Sequence, residues 1–170
     1  EEDDNLGFQL GKQVVDKTLM KTFYLATGAL PNGYATKTAA AAKENPEEAK
    51  IEQAEGWAFY QSIFSYLDSH SSEEAAFIES QFNLETDAAT IDPASVNKAF
   101  LRGFSKIALD EYAESLEAWG EDKSVITALE GALFIDVVGE DIKGIIGDEA
   151  YQSLTGQAQE YLEAAKSKNK

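Results

Sequence analysis

The sequence predicts an all-α protein, and three observations carry that prediction. Apolar residues recur at intervals of three and four along most of the chain. Two stretches, Asn45-Pro46-Glu47-Glu48 and Asp92-Pro93, combine a helix-capping residue with proline at the first helical position. No run of useful length alternates apolar and polar residues with the period of a β-strand. The 170 residues, 44 % of them hydrophobic, are enough to bury a core and favour one domain.

The first part of the chain divides into four predicted helices. The first begins at Leu6 and ends before Gly28, and the Asn-Gly turn of GALPNGY follows it. The alanine-rich stretch 36–44 predicts a short second helix. The third begins at the Asn45-Pro46 signal and extends to about Leu67. The acidic turn after Ser72 begins a fourth, which ends near Phe82.

The second part follows the predicted loop 83–91. A helix begins at Asp92-Pro93 and extends to Gly120, and another covers roughly 123–138. Three glycines between 139 and 147 predict a broken region. The last predicted helix covers about 148–166.

The two parts resemble each other. Shifting the chain by 75 residues aligns 51–75 with 126–150 without a gap, with six identities that include Glu55 with Glu130 and Gly56 with Gly131. This predicts a helical bundle of two pseudo-symmetric halves, about 6–82 and about 92–166. The loop 83–91 would join them within a single domain, 1–170.

The aligned segments AEGWAFYQS and LEGALFIDV place a glutamate among apolar residues at helical spacing. Both Glu55 and Glu130 are therefore expected on apolar stripes, where a carboxylate must be protonated, hydrogen-bonded or paired with a cation. Two such acids related by a pseudo-twofold axis could share a proton or a metal ion. The alternative places each glutamate at the edge of its stripe, bonded to a tyrosine or a loop amide. Gly56 and Gly131 predict close approach of a helix or a ligand to the backbone.

Further oxygen donors complete the predicted metal site. Phenolate and carboxylate oxygens suit hard cations such as Fe(III), so Tyr24, Tyr60 and Tyr112 are candidate ligands, although tyrosine is also common at the edge of a core. Asp136 is a further candidate, six residues beyond Glu130 rather than the three or four that share a face. The only arginine, Arg102, could bind an anion such as carbonate beside a metal, or pair with a helix acid.

Composition excludes several classes of function. The formal charge of −17 argues against nucleic acid and against anionic membrane surfaces as partners. The absence of cysteine and the presence of one histidine exclude thiolate chemistry and His-rich metal sites. No catalytic constellation is recognisable, so a non-catalytic binding protein is predicted. Besides metal binding, an acidic helical interaction module that binds a basic partner stays open.

AEGWAFYQSIFSYL and its weaker second copy LEGALFIDVV resemble the algal iron-assimilation (Fea) domain family, to which phytotransferrins are similar. The resemblance implies a periplasmic, secreted or cell-surface protein that binds ferric iron for uptake, with a carbonate anion and a partner at the cell surface. Glu55 and Glu130 match the motif as ligands, while Tyr60 corresponds to Ile135 in the second copy. Because the chain opens with EEDDN rather than Met, we expect a mature form after removal of a signal peptide, or a trimmed chain.

Overall fold

The computed structural model describes residues 5–28 and 30–168, and over that part of the chain it is helical without strands. The predicted all-α fold is therefore confirmed. The eight helices of the described residues are α1 (Asn5–Thr27), α2 (Tyr34–Ala41), α3 (Pro46–His70), α4 (Ser72–Phe82), α5 (Pro93–Glu117), α6 (Asp122–Val137), α7 (Gly139–Ile146) and α8 (Asp148–Lys168). A 3-10 turn, Ala88–Thr90, lies in the predicted loop 83–91. None of these helices is long and apolar enough to cross a membrane.

The chain forms two compact units. The terminal unit comprises Glu1–Leu19 with Phe104–Lys170, and the central unit comprises Met20–Gly103. The division falls within α1 and α5, so its bounds differ from those of the halves inferred from the internal similarity. The pseudo-twofold relationship between those halves stays a prediction.

Both cap-and-proline signals begin helices where the sequence predicts them. The Asn45 side chain accepts hydrogen bonds from the backbone N–H groups of Glu47 and Glu48, at 3.2 and 3.3 Å, and α3 begins at Pro46. Asp92 accepts from the Ala94 N–H at 3.1 Å and from the Ser95 hydroxyl at 2.6 Å, and α5 begins at Pro93. Such side chains satisfy the N–H groups that a helix start leaves without partners.

The central unit has an aromatic core. Tyr24, Tyr60 and Phe100 are fully buried, and the Phe100 ring meets the two tyrosine rings edge to face at 5.4 and 5.9 Å. The buried amide of Gln53 on α3 donates to the carbonyls of Asn83 and Thr86 at 3.0 and 3.1 Å. This side chain fastens the start of the 83–91 loop to α3, because those carbonyls lie beyond the end of α4.

The terminal unit is built around α6. Val125 and Ala128 of α6 pack with Leu162 and Ala165 of α8, and Leu6 and Leu10 of α1 lie against this cluster. The prediction of a broken region between 139 and 147 is wrong. Residues Gly139–Ile146 form α7, and Gly147, with φ of +85°, ends it. That conformation is open to glycine at little steric cost, so Gly147 acts as the stop while the two preceding glycines are accommodated in the helix.

Candidate functional site

Glu130 is buried on α6, as predicted, and its partner is a lysine. Lys17 of α1, whose side chain is 3 % exposed, donates hydrogen bonds of 2.7 Å to Glu130 Oε1 and to Gln13 Oε1. The ammonium group also lies 5.1 Å from the centre of the Phe134 ring. An opposite charge, an amide oxygen and an aromatic face together compensate for removing the ammonium from water. The pairing with a cation is thus the alternative observed for this glutamate.

Glu55 is exposed on α3, so the expectation that it lies on a buried stripe is wrong. Its carboxylate hydrogen-bonds the Tyr34 hydroxyl within the central unit, and burial together with this bond raises the pKa of Tyr34. The buried positions of α3 instead follow the spacing Gln53, Gly56, Tyr60, Ile63. Glu55 therefore lies at the edge of the stripe and binds a tyrosine, which is the second alternative drawn from the sequence.

The glycine that follows each glutamate makes room for an aromatic ring. A Cβ atom on Gly56 would lie 2.8 Å from Tyr34 Cβ and would clash with the Phe82 ring. A Cβ on Gly131 would lie 2.9 Å from the Tyr112 ring. Both separations are far shorter than an ordinary carbon–carbon contact. The predicted close approach to the backbone is confirmed, and the approaching groups are side chains of this chain.

The predicted tyrosine ligands of the central unit are committed to core contacts. The Tyr60 hydroxyl donates to the Ala75 carbonyl at 2.7 Å, and burial raises the pKa of Tyr60 well above its usual value. The buried Tyr24 hydroxyl donates to Asn97 Oδ1 at 3.4 Å. A phenol must lose its proton to become a strong Fe(III) ligand, and burial opposes that loss.

Asp136 and Tyr112, the other predicted ligands of the terminal unit, differ in their surroundings. Asp136 is exposed on α6 and contributes to raising the pKa of Tyr151, after burial. Burial, and then the neighbouring Tyr161, raise the pKa of Tyr112 to about 12. Within residues 5–28 and 30–168, no three His, Asp or Glu side chains form a cluster that could hold a metal ion. The ligand set drawn from the sequence, half of which is tyrosine, stays a prediction.

Arg102 lies in a polar cleft of the central unit, which we call the cation cleft. The cleft has a volume of about 300 Å³. Its walls come from α4 and α5, and its lining residues are Glu73, Glu74, Phe77, Ser95, Lys98, Ala99 and Arg102. Lys98 precedes Arg102 by four residues on α5, so the two cations stand one above the other on the same helix face.

The two cations of the cleft form no ion pair with any residue that the structure describes. Among the described residues, neither Lys98 nor Arg102 has an ion-pair partner, although the chain carries 31 Asp and Glu against 14 Lys and Arg. On the opposite helix, Glu74 accepts a 2.6 Å hydrogen bond from the Ser71 hydroxyl. The alternative in which Arg102 pairs with a helix acid is therefore not the observed one. The i,i+4 spacing of Lys98 and Arg102 could have indicated this pair from sequence, whereas the facing glutamates depend on how α4 folds back.

Comparison with known proteins finds no matching family model, no similar curated protein and no similar solved structure. The resemblance to the iron-assimilation family stays a prediction from the sequence.

Proposed function

We propose that this chain is a non-catalytic binding protein that takes a small carboxylate-bearing ligand, or a comparable oxyanion, in the cation cleft. The observation that carries the proposal is the placement of Lys98 and Arg102 in one cleft without ion-pair partners among the described residues. The planar guanidinium of Arg102 suits bidentate bonding to a carboxylate. Lys98 adds a second donor one helical turn away.

The facing acids narrow the class of ligand. Glu73 and Glu74 line the same cleft, and a simple anion would be repelled by them and by the net charge of −17. A ligand that carries positive charge beside its carboxylate would satisfy both walls. Two chemistries meet this condition: an amino acid or similar zwitterion, and a metal cation bound together with its carboxylate or carbonate ligand.

Ferric iron belongs to the second of these chemistries. Glutamate oxygens are hard donors that suit Fe(III), and Arg102 is the residue that the sequence marks as the anion partner. Iron would then enter together with its carboxylate or carbonate ligand and be held by the cleft, rather than by Glu55 and Glu130. Iron uptake, an extracytoplasmic location and a cell-surface partner remain part of the proposal through the sequence resemblance.

The test is a thermal melt with citrate, glycine, bicarbonate and ferric citrate, each compared with sodium chloride of equal ionic strength. A ligand at a hundredfold excess over its dissociation constant adds about 2.7 kcal/mol of stability. The melting temperature is expected to rise with at least one of them. The rise should disappear in the K98Q/R102Q double variant.

The matched control is K106Q, which removes an exposed lysine of the same helix outside the cleft. It should respond as the unmodified protein does. A rise with ferric citrate but not with citrate or glycine assigns the metal complex, and a rise with glycine alone assigns the zwitterion. The proposal is rejected if no ligand raises the melting temperature, or if the double variant responds fully. The first of those results would favour the module that binds a basic partner.

A further inference from the structure

A second concavity, in the terminal unit, has the opposite chemistry. We call it the apolar groove, and its principal lining residues are Leu109, Tyr112, Ile135, Val138, Ile142 and Leu154. Its volume is about 320 Å³. An adjoining hollow of about 290 Å³ shares Tyr112, Ile135 and Leu154 with it. We infer that this groove binds a small, uncharged, predominantly apolar molecule.

The size of the groove favours a small molecule. Sites for such ligands measure roughly 300–1,000 Å³, and their walls are mainly apolar with a few polar groups. Ser105 supplies a hydroxyl to the groove, and Gln157 supplies an amide to the adjoining hollow. The expected ligand therefore has an apolar body and one or two hydrogen-bonding groups.

The lack of charged residues in the described lining favours a neutral ligand. Of the described residues that line the groove and the adjoining hollow, none is charged, although 26 % of the chain is Asp, Glu, Lys or Arg. A charged group entering here would lose its water without gaining a partner, which is strongly unfavourable. A basic peptide would find no acid to pair with in this lining. An apolar molecule would instead gain from the surface it removes from water.

The groove is open to such a ligand. Leu109, which lines the groove, is 70 % exposed. Exposed apolar side chains beside an uncharged concavity are typical of a site that is covered when its ligand binds. This inference is independent of the cation cleft, because it concerns the other unit and the opposite ligand chemistry.

The test uses N-phenyl-1-naphthylamine, a neutral probe that fluoresces strongly when it leaves water. We expect saturable binding to the full chain. The variant L109E places a charge at the edge of the groove and should raise the dissociation constant of the probe about tenfold or more. The matched control L116E changes an exposed leucine of the same helix, 62 % exposed and outside the groove, and should leave the constant within about twofold.

Three further measurements keep the result decisive. Far-ultraviolet circular dichroism checks that L109E folds, and L109W narrows the groove without adding charge, so it should also weaken the probe. Sedimentation velocity reports a second copy as the occupant: dimers that L109E dissociates, without probe binding, would overturn the inference. Absent saturation, or equal affinity in L109E and L116E, would overturn it too.

Discussion

Lys17 donates a hydrogen bond to Glu130 across 2.7 Å in the terminal unit, and this contact explains how a glutamate can lie on the buried face of α6. Removing either side chain would leave the other charge largely buried without its counter-ion. Burying two charges is unfavourable unless they are paired and hydrogen-bonded, and Gln13 supplies a further acceptor for the ammonium. The sequence alone, which offered a metal ion for this glutamate, did not single out Lys17.

The first prediction follows from that pair. The variant K17M leaves the Glu130 carboxylate buried without its cation, so unfolding by urea at neutral pH should show a loss of about 3–5 kcal/mol. K12M is the control on the same helix, because the Lys12–Asp16 pair is exposed and 3.4 Å apart. It should change stability by less than about 1 kcal/mol. Equal effects of the two variants would mean that the buried pair does not hold the terminal unit together.

A second prediction concerns the glycines of the two Glu-Gly motifs. G56A and G131A force a Cβ atom into aromatic side chains, at 2.8 Å from Tyr34 and 2.9 Å from Tyr112. Each should lower the free energy of unfolding by about 1–3 kcal/mol, the usual effect of overpacking. G156A changes a glycine within α8 that has open space around it, and should raise stability by about 0.5–1 kcal/mol. In thermal melts, G56A and G131A should lower the melting temperature and G156A should raise it. A change in the same direction for all three variants would contradict the packing described above.

The third prediction separates two tyrosines that touch. Tyr112 and Tyr161 meet edge to face at 5.3 Å, but the Tyr161 hydroxyl donates to Ser115 Oγ at 3.1 Å while the buried Tyr112 hydroxyl has no hydrogen-bond partner among the described residues. Y112F should therefore be neutral or more stable by about 1 kcal/mol, whereas Y161F should lose about 1 kcal/mol. Denaturant unfolding of the two variants measures the difference directly.

The same tyrosine gives a pH dependence in alkali. The pKa of Tyr112 is raised to about 12, against 10 in the unfolded chain. The stability that the protonated tyrosine contributes is therefore fully present below pH 10 and is lost as the pH rises through about 12. Y112F removes this part of the alkaline loss, so its stability should fall less steeply over that interval. Parallel curves for Y112F and the unmodified protein would show that Tyr112 ionises freely in the folded state.

Most helices were predictable because their signals are local. Asn45 and Asp92 fix the starts of α3 and α5 through bonds to residues two or three positions away, which the sequence displays. The region around α7 was predicted to be broken because its glycines were read as helix breakers. Only Gly147 has the positive φ that ends a helix, and the sequence cannot distinguish it from Gly139 and Gly144.

The misplacement of Glu55 has a geometric cause. An α-helix turns about 100° per residue, so a ladder of residues four apart drifts by about 40° at each step. Over the twelve residues from Ile51 to Ile63 the drift reaches about 120°, and the two isoleucines are 53 and 2 % exposed. The buried face of α3 alternates steps of three and four and passes through Gly56 instead. On α6 the same reasoning succeeded for Glu130 because that helix is buried over much of its circumference.

The candidate sites were less predictable than the helices. Arg102 was a candidate anion-binding residue because a guanidinium bonds carboxylate and carbonate bidentately, with pairing to a helix acid as the alternative. Anion binding stays a hypothesis, and the structure places the residue in the cation cleft. Glu73 and Glu74 were not identified with it, since their position opposite α5 depends on tertiary packing. The apolar groove likewise brings together residues of four helices, and their proximity depends on tertiary packing.

The last prediction concerns the start of α5, where pH and capping are linked. The hydrogen bond from the Ser95 hydroxyl, aided by the backbone N–H groups of Ala94 and Ser95, lowers the pKa of Asp92 below 3.8. A lowered carboxyl pKa contributes stability that is present above the unfolded value and is lost as the pH falls through the folded value. D92A should therefore be less stable than the unmodified protein at pH 6. The gap between them should shrink as the pH falls below about 3.8 toward 2.

D92N is the matched variant, because asparagine caps a helix as well as aspartate does but does not titrate. Melts from pH 6 to pH 2 should show a constant gap between D92N and D92A, while the gap between the unmodified protein and D92A closes. If all three curves run parallel, the Asp92 carboxylate does not stabilise α5 through its charge. If D92N is as unstable as D92A at pH 6, the negative charge is required at this position, and an uncharged hydrogen-bond acceptor cannot replace it.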